Sequence, residues 1–353
     1  MAAIAVVTTL GVAGCTQGAG QEESPPRGVV VNLGGRVSIL DDINAHPDVV
    51  ADRPEGTERL DVYRLTAPKQ LADGLIVGIL DGAVVAIDPK TPDQQVVLGP
   101  ATSWFAAADG SGVWAVTEDP TSSACAGQPI AESGRSRFSV SKFPVSGRPA
   151  QTTYTLPCGL RPFAETSRGI AALQVTDAGS NREHTDLVLL NADATAVRQT
   201  LAKDSSSLAS EGGRLLWKES SCDSTDCIKV YDSKAMKTVT APECAEGTIV
   251  GRGTLDATGR WYASAIATDS GFRLAVLDLD RGSCKDLGAN AVLDGDQDLD
   301  GALSGTWAQA NLLVLDSTTG ALTSFNAVSG KQVERKQSLD VSGLAQVWGA
   351  RTE

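Results

Sequence analysis

The chain has 353 residues, of which 42% are hydrophobic and 36 are glycine, so it can bury a large core and favours many short strands over long helices. Its formal net charge is −13, with acidic and basic residues mixed along the whole length. The absence of a cationic surface argues against a nucleic-acid partner and against binding of a polybasic segment to anionic lipid headgroups.

The chain begins with a short apolar stretch, residues 2–14, which ends directly before Cys15. A helix needs about 20 residues to span a bilayer, so this stretch is too short for that role. Its length and its small residues are typical of the apolar region of a signal peptide. We therefore predict that residues 1–14 are a signal peptide.

The run Val12-Ala13-Gly14-Cys15 resembles the lipobox of bacterial lipoproteins. In that family a peptidase cuts before a cysteine that has received a diacylglycerol, and Cys15 stands at that position. The resemblance implies a lipid anchor on Cys15 and a location on the extracytoplasmic face of the cell membrane. The first three residues carry no Lys or Arg, and a plain secretory signal is the alternative.

The next segment is polar and contains mainly Gly, Gln, Glu, Ser and Pro up to Arg27. It offers no apolar side chains to bury, which is typical of a flexible tether. We expect residues 15–27 to be a lipidated tether and residues 28–353 to form the folded domain.

A sequence pattern recurs along that domain. Each copy predicts four short strands with turns between them, of which the second often contains Trp and the third ends in Asp or Asn. Third-strand endings lie at Asp88, Asn191, Asp232 and Asp278, and the last three are 41 and 46 residues apart. A period in the forties with four strands per unit is the signature of β-propeller blades. Such blades stack in a ring because a small sheet cannot cover both of its faces alone.

Six full units fall near 67–100, 103–157, 162–202, 207–243, 248–288 and 300–337. If the strand at residues 344–350 completes a blade begun by residues 29–65, the ring closes with seven. The prediction is therefore an all-β chain with a single propeller of seven four-stranded blades, in which the N- and C-terminal strands share one blade. Six or eight blades are the alternatives.

The recurring pattern resembles the blades of quinoprotein-like and WD40-like propellers over about residues 29–350. The Gly-His and Trp-Asp signatures of the second group are absent. The resemblance therefore implies a fold and brings no binding residues with it.

Six cysteines follow Cys15, and an even number in an exported chain predicts three disulfides, for which 15 connectivities are possible. Two of them bracket a hairpin tip, two share a repeat, and two remain. The expected pairs are Cys222 with Cys227, Cys125 with Cys158, and Cys244 with Cys284. A thiolate metal site is the alternative, although no C-x-x-C spacing is present.

An acidic run with alternating carboxylates contains Asp296, Asp298 and Asp300, followed by a glycine. This D-x-D-x-D-G start matches a calcium loop and resembles loops in integrin-like propellers. The ninth and twelfth positions, Ser304 and Trp307, depart from the EF-hand pattern. Structural calcium is the only cofactor that the sequence suggests, and a solvated acidic turn is the alternative.

The only histidines, His46 and His184, lie in polar, turn-like surroundings, and we expect both to be exposed. The tryptophans recur at equivalent strand positions, which favours packing between blades over a stacking platform for sugars or a flat cofactor. They are Trp104, Trp114, Trp217, Trp261, Trp307 and Trp348.

Catalytic motifs such as H-E-x-x-H and G-x-S-x-G are absent. The sequence therefore favours a binding scaffold over an enzyme: a lipid-anchored propeller outside the membrane that presents its loops to a protein or glycan partner. The alternative is a propeller enzyme, such as a lactonase-like hydrolase or a quinoprotein, with its site at the central channel.

Overall fold

The structure is a computed structural model. It describes residues 26–34, 36–52, 65–71, 74–91, 94–120, 125, 136–147, 149–176, 184–222, 224–242, 244, 247–269, 271–288, 303–317, 319–336, 339–341 and 345–351. Within these residues the chain forms β-strands throughout, with a short 3-10 turn at Thr225–Cys227. Among the described residues, no helix has the length and apolar composition that a membrane span requires.

Seven antiparallel sheets of four strands each form the blades. Blade 1 contains β28 (Ala345–Arg351), β1 (Arg27–Leu33), β2 (Arg36–Asp42) and β3 (Asp48–Asp52). Blade 2 contains β4 (Thr66–Gln70), β5 (Ile76–Leu80), β6 (Ala83–Ile87) and β7 (Gln95–Pro100). Blade 3 contains β8 (Ser103–Ala106), β9 (Val113–Asp119), β10 (Arg137–Phe143) and β11 (Thr152–Thr155). Blade 4 contains β12 (Leu160–Thr166), β13 (Gly169–Thr176), β14 (His184–Leu190) and β15 (Val197–Ala202).

The remaining blades follow in the same order. Blade 5 contains β16 (Ser205–Glu211), β17 (Arg214–Glu219), β18 (Lys229–Asp232) and β19 (Lys237–Thr240). Blade 6 contains β20 (Thr248–Leu255), β21 (Trp261–Thr268), β22 (Gly271–Asp278) and β23 (Ser283–Asp286). Blade 7 contains β24 (Leu303–Ala308), β25 (Asn311–Asp316), β26 (Leu322–Asn326) and β27 (Lys331–Lys336).

The ring closes through the two ends of the chain. The last strand, β28, pairs antiparallel with the first strand, β1, with Arg27 opposite Arg351 and Val31 opposite Val347. Blade 1 is therefore completed by the C-terminus, as the sequence predicts, and the count of seven four-stranded blades is confirmed. A shared blade removes the open sheet edge that an incomplete ring would present.

The first strand in each sheet lies next to the central channel. First strands of neighbouring blades contact one another, as β24 does with β28, β28 with β4, β8 with β12, and β16 with β20. The fourth strands lie at the rim, and their side chains are largely exposed, as in β15 and β19. The channel wall is therefore built from one strand of each blade.

Tryptophans fill the gaps between blades, as the periodicity predicts. Trp348 of blade 1 packs with Ile76 and Val85 of blade 2. Trp217 packs with Leu187 across blades 5 and 4. Buried tryptophans in these positions are Trp114, Trp217, Trp261 and Trp348, whereas Trp104 and Trp307 are half-buried on the channel strands β8 and β24.

The polar residues that end the third strands hold the following turns. The carboxylate of Asp232 accepts hydrogen bonds from the backbone N–H of Lys234 and Ala235 at 2.9 and 3.1 Å. Asp88 accepts one from the N–H of Lys90 at 3.0 Å in the same way. A short acceptor at this position replaces a missing backbone partner in a tight turn. The recurring Asp and Asn are thus explained by turn geometry.

Asp278 ends the third strand of blade 6 and is also bound by an arginine. Its side chain is 3% exposed, and its carboxylate accepts from Arg260 Nε at 3.1 Å and Nη2 at 2.8 Å. Burial acts to raise the pKa of Asp278, but the hydrogen bonds from Arg260 and from the backbone N–H groups of Arg281 and Asp280 outweigh it and hold that pKa below its ordinary value.

Replacement of Arg260 by alanine should therefore destabilise the fold by about 2 kcal/mol, because it leaves a buried carboxylate without its charged donor. This loss of stability should become smaller below about pH 4. The pKa of Asp278 is lower in the folded than in the unfolded protein, so its carboxylate stabilises the fold only while it is ionised. Urea unfolding at pH 7 and pH 3 measures both effects. Arg281→Ala is the control, because Arg281 is 70% exposed and its Nε lies 4.0 Å from the same carboxylate. Equal losses for the two variants would contradict the prediction.

The three disulfides join the cysteines in the expected pairs: Cys125 with Cys158, Cys222 with Cys227, and Cys244 with Cys284. The first ties the β9–β10 loop of blade 3 to the link that leads to blade 4. The second closes the β17–β18 loop, and the third ties the link after blade 5 to β23 of blade 6. The predicted lipidation site Cys15 and the calcium-loop residues Asp296, Asp298 and Asp300 lie outside the described residues.

The antiparallel order gives the ring two different faces. We call the face with the turns between first and second strands, such as Gly212–Gly213, the hairpin face. The opposite face, the loop face, carries the second-to-third-strand loops and the links between blades. In blade 1 the first two strands are β28 and β1, and no turn joins them. Arg351 at the end of β28 and Arg27 at the start of β1 lie where the other blades have the turn between their first and second strands. Both ends of the described chain are therefore on the hairpin face.

Candidate binding site in the central channel

A cavity of about 420 Å³ lies in the central channel near the hairpin face, and we call it the channel-mouth cavity. Its wall is made by the channel strands of five consecutive blades. These strands contribute Lys69 from β4, Trp104 from β8, Glu165 from β12, Glu211 from β16 and Gly253 from β20. On the longer strands β12, β16 and β20 the lining residues lie near the hairpin-face end, so the cavity belongs to that end of the channel.

An ion pair crosses the cavity between two blades that are not adjacent. Lys69 Nζ of blade 2 donates to Glu211 Oε2 of blade 5. The Lys69 side chain is 39% exposed because it faces the open channel, whereas that of Glu211 is 14% exposed. The surrounding protein lowers the pKa of Lys69 to about 8 by desolvation, and the negative charge of Asp256 acts against this shift.

A second carboxylate on the wall, Glu165, is held from two sides. Its Oε2 accepts from the backbone N–H of Ala108 at 2.8 Å, and its Oε1 lies 3.5 Å from Lys142 Nζ. Lys142 also lies 3.5 Å from Asp109 and 5.7 Å from the centre of the Trp114 ring. Glu165 therefore lines the cavity as an acceptor that is held in a fixed orientation.

Trp104 is fixed by a strained stretch of the neighbouring blade. Its indole Nε1 donates to the carbonyl oxygen of Ala67 at 3.0 Å. Ala67 has a φ of 48°, directly before Pro68, and the pairing of β4 with β5 shifts register between Thr66 and Lys69. This bulge places the Ala67 carbonyl against Trp104 and directs Lys69 to the cavity, and such strain is typical of functional sites.

The rim beside the cavity depends on a close approach of two hairpin turns. Gly212 has a φ of 57°, and a Cβ atom at this position would lie 2.6 Å from the carbonyl oxygen of Thr258. Arg214 Nη1 donates to the carbonyl of Gly259 at 2.9 Å across the same contact. Blades 5 and 6 are thus locked together next to Glu211.

Neither histidine lines the cavity. His46 is exposed, as expected, on the turn between β2 and β3. The sequence predicts that His184 is exposed as well, but the structure has it half-buried on β14, with Nε2 3.4 Å from Asp186 Oδ1. The difference arises because the β14 register places His184 above Asp186, which itself is buried and accepts from the N–H of Asp204 at 3.1 Å.

In the part of the chain that the structure describes, one cluster has a composition that suits a metal, formed by Cys222, Asp226 and Cys227. The two sulfur atoms are joined in a disulfide. A metal needs thiolates as ligands, so this cluster offers only the carboxylate of Asp226. Its structural role is to close the β17–β18 loop.

The polar residues of the channel-mouth cavity are not predicted from the sequence. Lys69, Glu165 and Glu211 belong to different blades, and no local motif connects them. The available signal was their place on the first strand of a repeat, the strand that borders the channel. Trp104 belongs to the recurring tryptophans, but its place on the cavity wall does not follow from that pattern.

Comparison with known proteins supports the fold. No family model matches the chain, and no match was found among curated proteins. Among solved structures, the Pyrococcus horikoshii acylaminoacyl peptidase matches 91% of this chain and 53% of its own, with a TM-score of 0.58 and 14% identity. The chain thus spans about half the length of that peptidase.

Two further structures cover most of both chains. The β-propeller domain of the Trilobed protease from Pyrococcus furiosus matches 91% of this chain and 96% of its own, with a TM-score of 0.54 and 11% identity. An oligogalacturonate lyase in complex with manganese matches 86% and 82%, with a TM-score of 0.51 and 11% identity. At these identities the similarity shows the propeller fold alone.

Proposed function

We propose that this chain is a binding scaffold, held at the extracytoplasmic face of the cell membrane by a lipid on Cys15, which takes up part of a protein or glycan partner in the channel-mouth cavity. The observation that carries this proposal is the composition of the cavity wall. It joins the aromatic surface of Trp104 to the Lys69–Glu211 ion pair and to Glu165. Concave sites with an apolar surface and a few oriented polar groups are typical of ligand recognition.

The polar groups of the same wall are already oriented by hydrogen bonds within the protein. Lys69 and Glu211 are bound to each other, and Glu165 is bound to the N–H of Ala108. These groups are therefore oriented to hold the hydrogen bonds of a ligand in place.

The proposal is tested with the full chain expressed in a bacterium that exports lipoproteins and is fed an alkyne analogue of palmitate. The wild-type protein should carry the label and appear in the membrane fraction, because two or more acyl chains anchor a protein stably. Cys15→Ser should lose the label and leave the membrane fraction. In the same cells, a photoreactive residue in place of Ser210, which lines the cavity, should form a cross-link to a partner.

Two matched variants act as controls. Cys222→Ser with Cys227→Ser removes two other cysteines and should keep the lipid label. A photoreactive residue in place of Ser220, which is exposed in the β17–β18 loop on the opposite face, should give no cross-link. A labelled, membrane-bound Cys15→Ser protein would refute the anchor, and equal cross-linking at positions 210 and 220 would refute recognition at the cavity.

A further inference from the structure

The channel-mouth cavity presents a bare aromatic surface to a ligand. Trp104 lines the cavity and is half-buried, and its only polar group, the indole N–H, already donates to the Ala67 carbonyl. What remains for a ligand is the carbon face of the ring. Such a face attracts C–H groups of a ligand by dispersion and by its negative π-surface.

Each carboxylate of the cavity wall has an ammonium group beside it. Lys69 is bound to Glu211, and Lys142 lies 3.5 Å from Glu165 and 3.5 Å from Asp109, so two carboxylates share it. A charged ligand would separate one of these pairs and leave a charged side chain unpaired in a partly enclosed site, which is unfavourable. A hydroxyl group can donate to a carboxylate and accept from an ammonium group while both stay paired. The wall therefore favours an uncharged ligand with several hydroxyl groups.

We propose that the channel-mouth cavity binds an uncharged sugar residue, with one face of the sugar ring on the Trp104 indole and the hydroxyl groups hydrogen-bonded to Lys69 and Glu211. A sugar ring combines a C–H face with a hydroxyl edge, which matches the two parts of the wall. This inference rests on the proposed function, since it names the ligand class of the same site. The cavity volume of about 420 Å³ is within the range of sites for small molecules.

The site is also held in place before a ligand arrives. The bulge at Ala67 fixes the indole through its carbonyl, and Gly212 allows the close contact that locks the rim beside Glu211. Groups that are fixed in the free protein lose less conformational freedom on binding. A small neutral ligand can therefore bind with few contacts.

The experiment uses the full chain, purified in detergent, and the methyl glycosides of glucose, galactose, mannose and N-acetylglucosamine. Saturation-transfer NMR and calorimetry should detect at least one of these sugars with a Kd of about 1 mM or lower. Trp104→Ala should weaken that binding at least about tenfold, because it removes the stacking surface. Trp104→Phe also loses the hydrogen bond to Ala67 but keeps a ring, and should retain most of the affinity.

Trp307→Ala is the matched control. Trp307 is half-buried on channel strand β24 and donates its indole N–H to the carbonyl of Thr254 in the preceding blade at 3.2 Å, as Trp104 does to Ala67. It is not among the residues that line the cavity, so its replacement should change the affinity by less than about twofold.

The inference is overturned if none of the four glycosides binds, if Trp104→Ala and Trp307→Ala weaken binding equally, or if glucuronate or glucosamine binds more tightly than the neutral sugars. The purified protein reports on the cavity independently of lipid attachment. If no sugar binds but position 210 still cross-links to a partner, the proposed sugar ligand is wrong and the proposed binding scaffold stands. Loss of both would remove both proposals.

Discussion

Replacement of Trp348 by alanine is expected to lower the free energy of unfolding by about 3–5 kcal/mol, the usual range for a fully buried tryptophan. Trp348 is 2% exposed and packs with Val30 of its own blade and with Ile76 and Val85 of blade 2. It lies on β28, the strand that closes the ring. The cavity left by its removal would lie at that closure. Urea unfolding followed by circular dichroism measures the loss.

Met236→Ala is a suitable control, because Met236 is 62% exposed on the turn before β19. Its removal should change the free energy of unfolding by less than about 0.5 kcal/mol. A Trp348→Ala protein as stable as the Met236→Ala protein would show that the C-terminal strand is not packed into blade 1.

The disulfide between Cys125 and Cys158 should also make a large contribution to the free energy of unfolding. The two residues are 33 positions apart, and the chain-entropy model for a loop of that length gives about 3–4 kcal/mol. The double variant Cys125→Ala with Cys158→Ala should lose that amount in urea unfolding under oxidising conditions.

The matched comparison is Cys222→Ala with Cys227→Ala. These cysteines are only 5 positions apart, and the same model gives about 2 kcal/mol for a loop that short. The longer loop should therefore account for the larger loss. A larger loss for the short loop than for the long one would mean that loop closure does not control the effect.

The architecture could be predicted because each blade repeats a local requirement. A third strand must turn sharply into the fourth, and an Asp or Asn side chain supplies the acceptor for that turn, as at Asp88 and Asp232. The spacing of these residues therefore counts blades. Burial of large rings between sheets also repeats, which is why the packing role of Trp114, Trp217, Trp261 and Trp348 could be recognised.

The cavity could not be predicted because its groups meet only after the ring has closed. Lys69 and Glu211 are 142 residues apart and belong to blades that are not neighbours. Their contact depends on the diameter of the channel and on the bulge at Ala67, and neither is set by a local pattern. Alanine ordinarily avoids a positive φ, so the sequence carries no sign of this bulge beyond the following Pro68.

The two ends of the described chain, Arg27 and Arg351, lie on the hairpin face, the same side of the ring as the channel-mouth cavity. Only residues 16–26 separate Cys15 from β1, and fully extended they reach roughly 40 Å. An anchored ring would keep the start of β1, which lies on the hairpin face, within that distance of the bilayer. Molecules attached to the bilayer would therefore be concentrated around the side of the ring that carries the cavity.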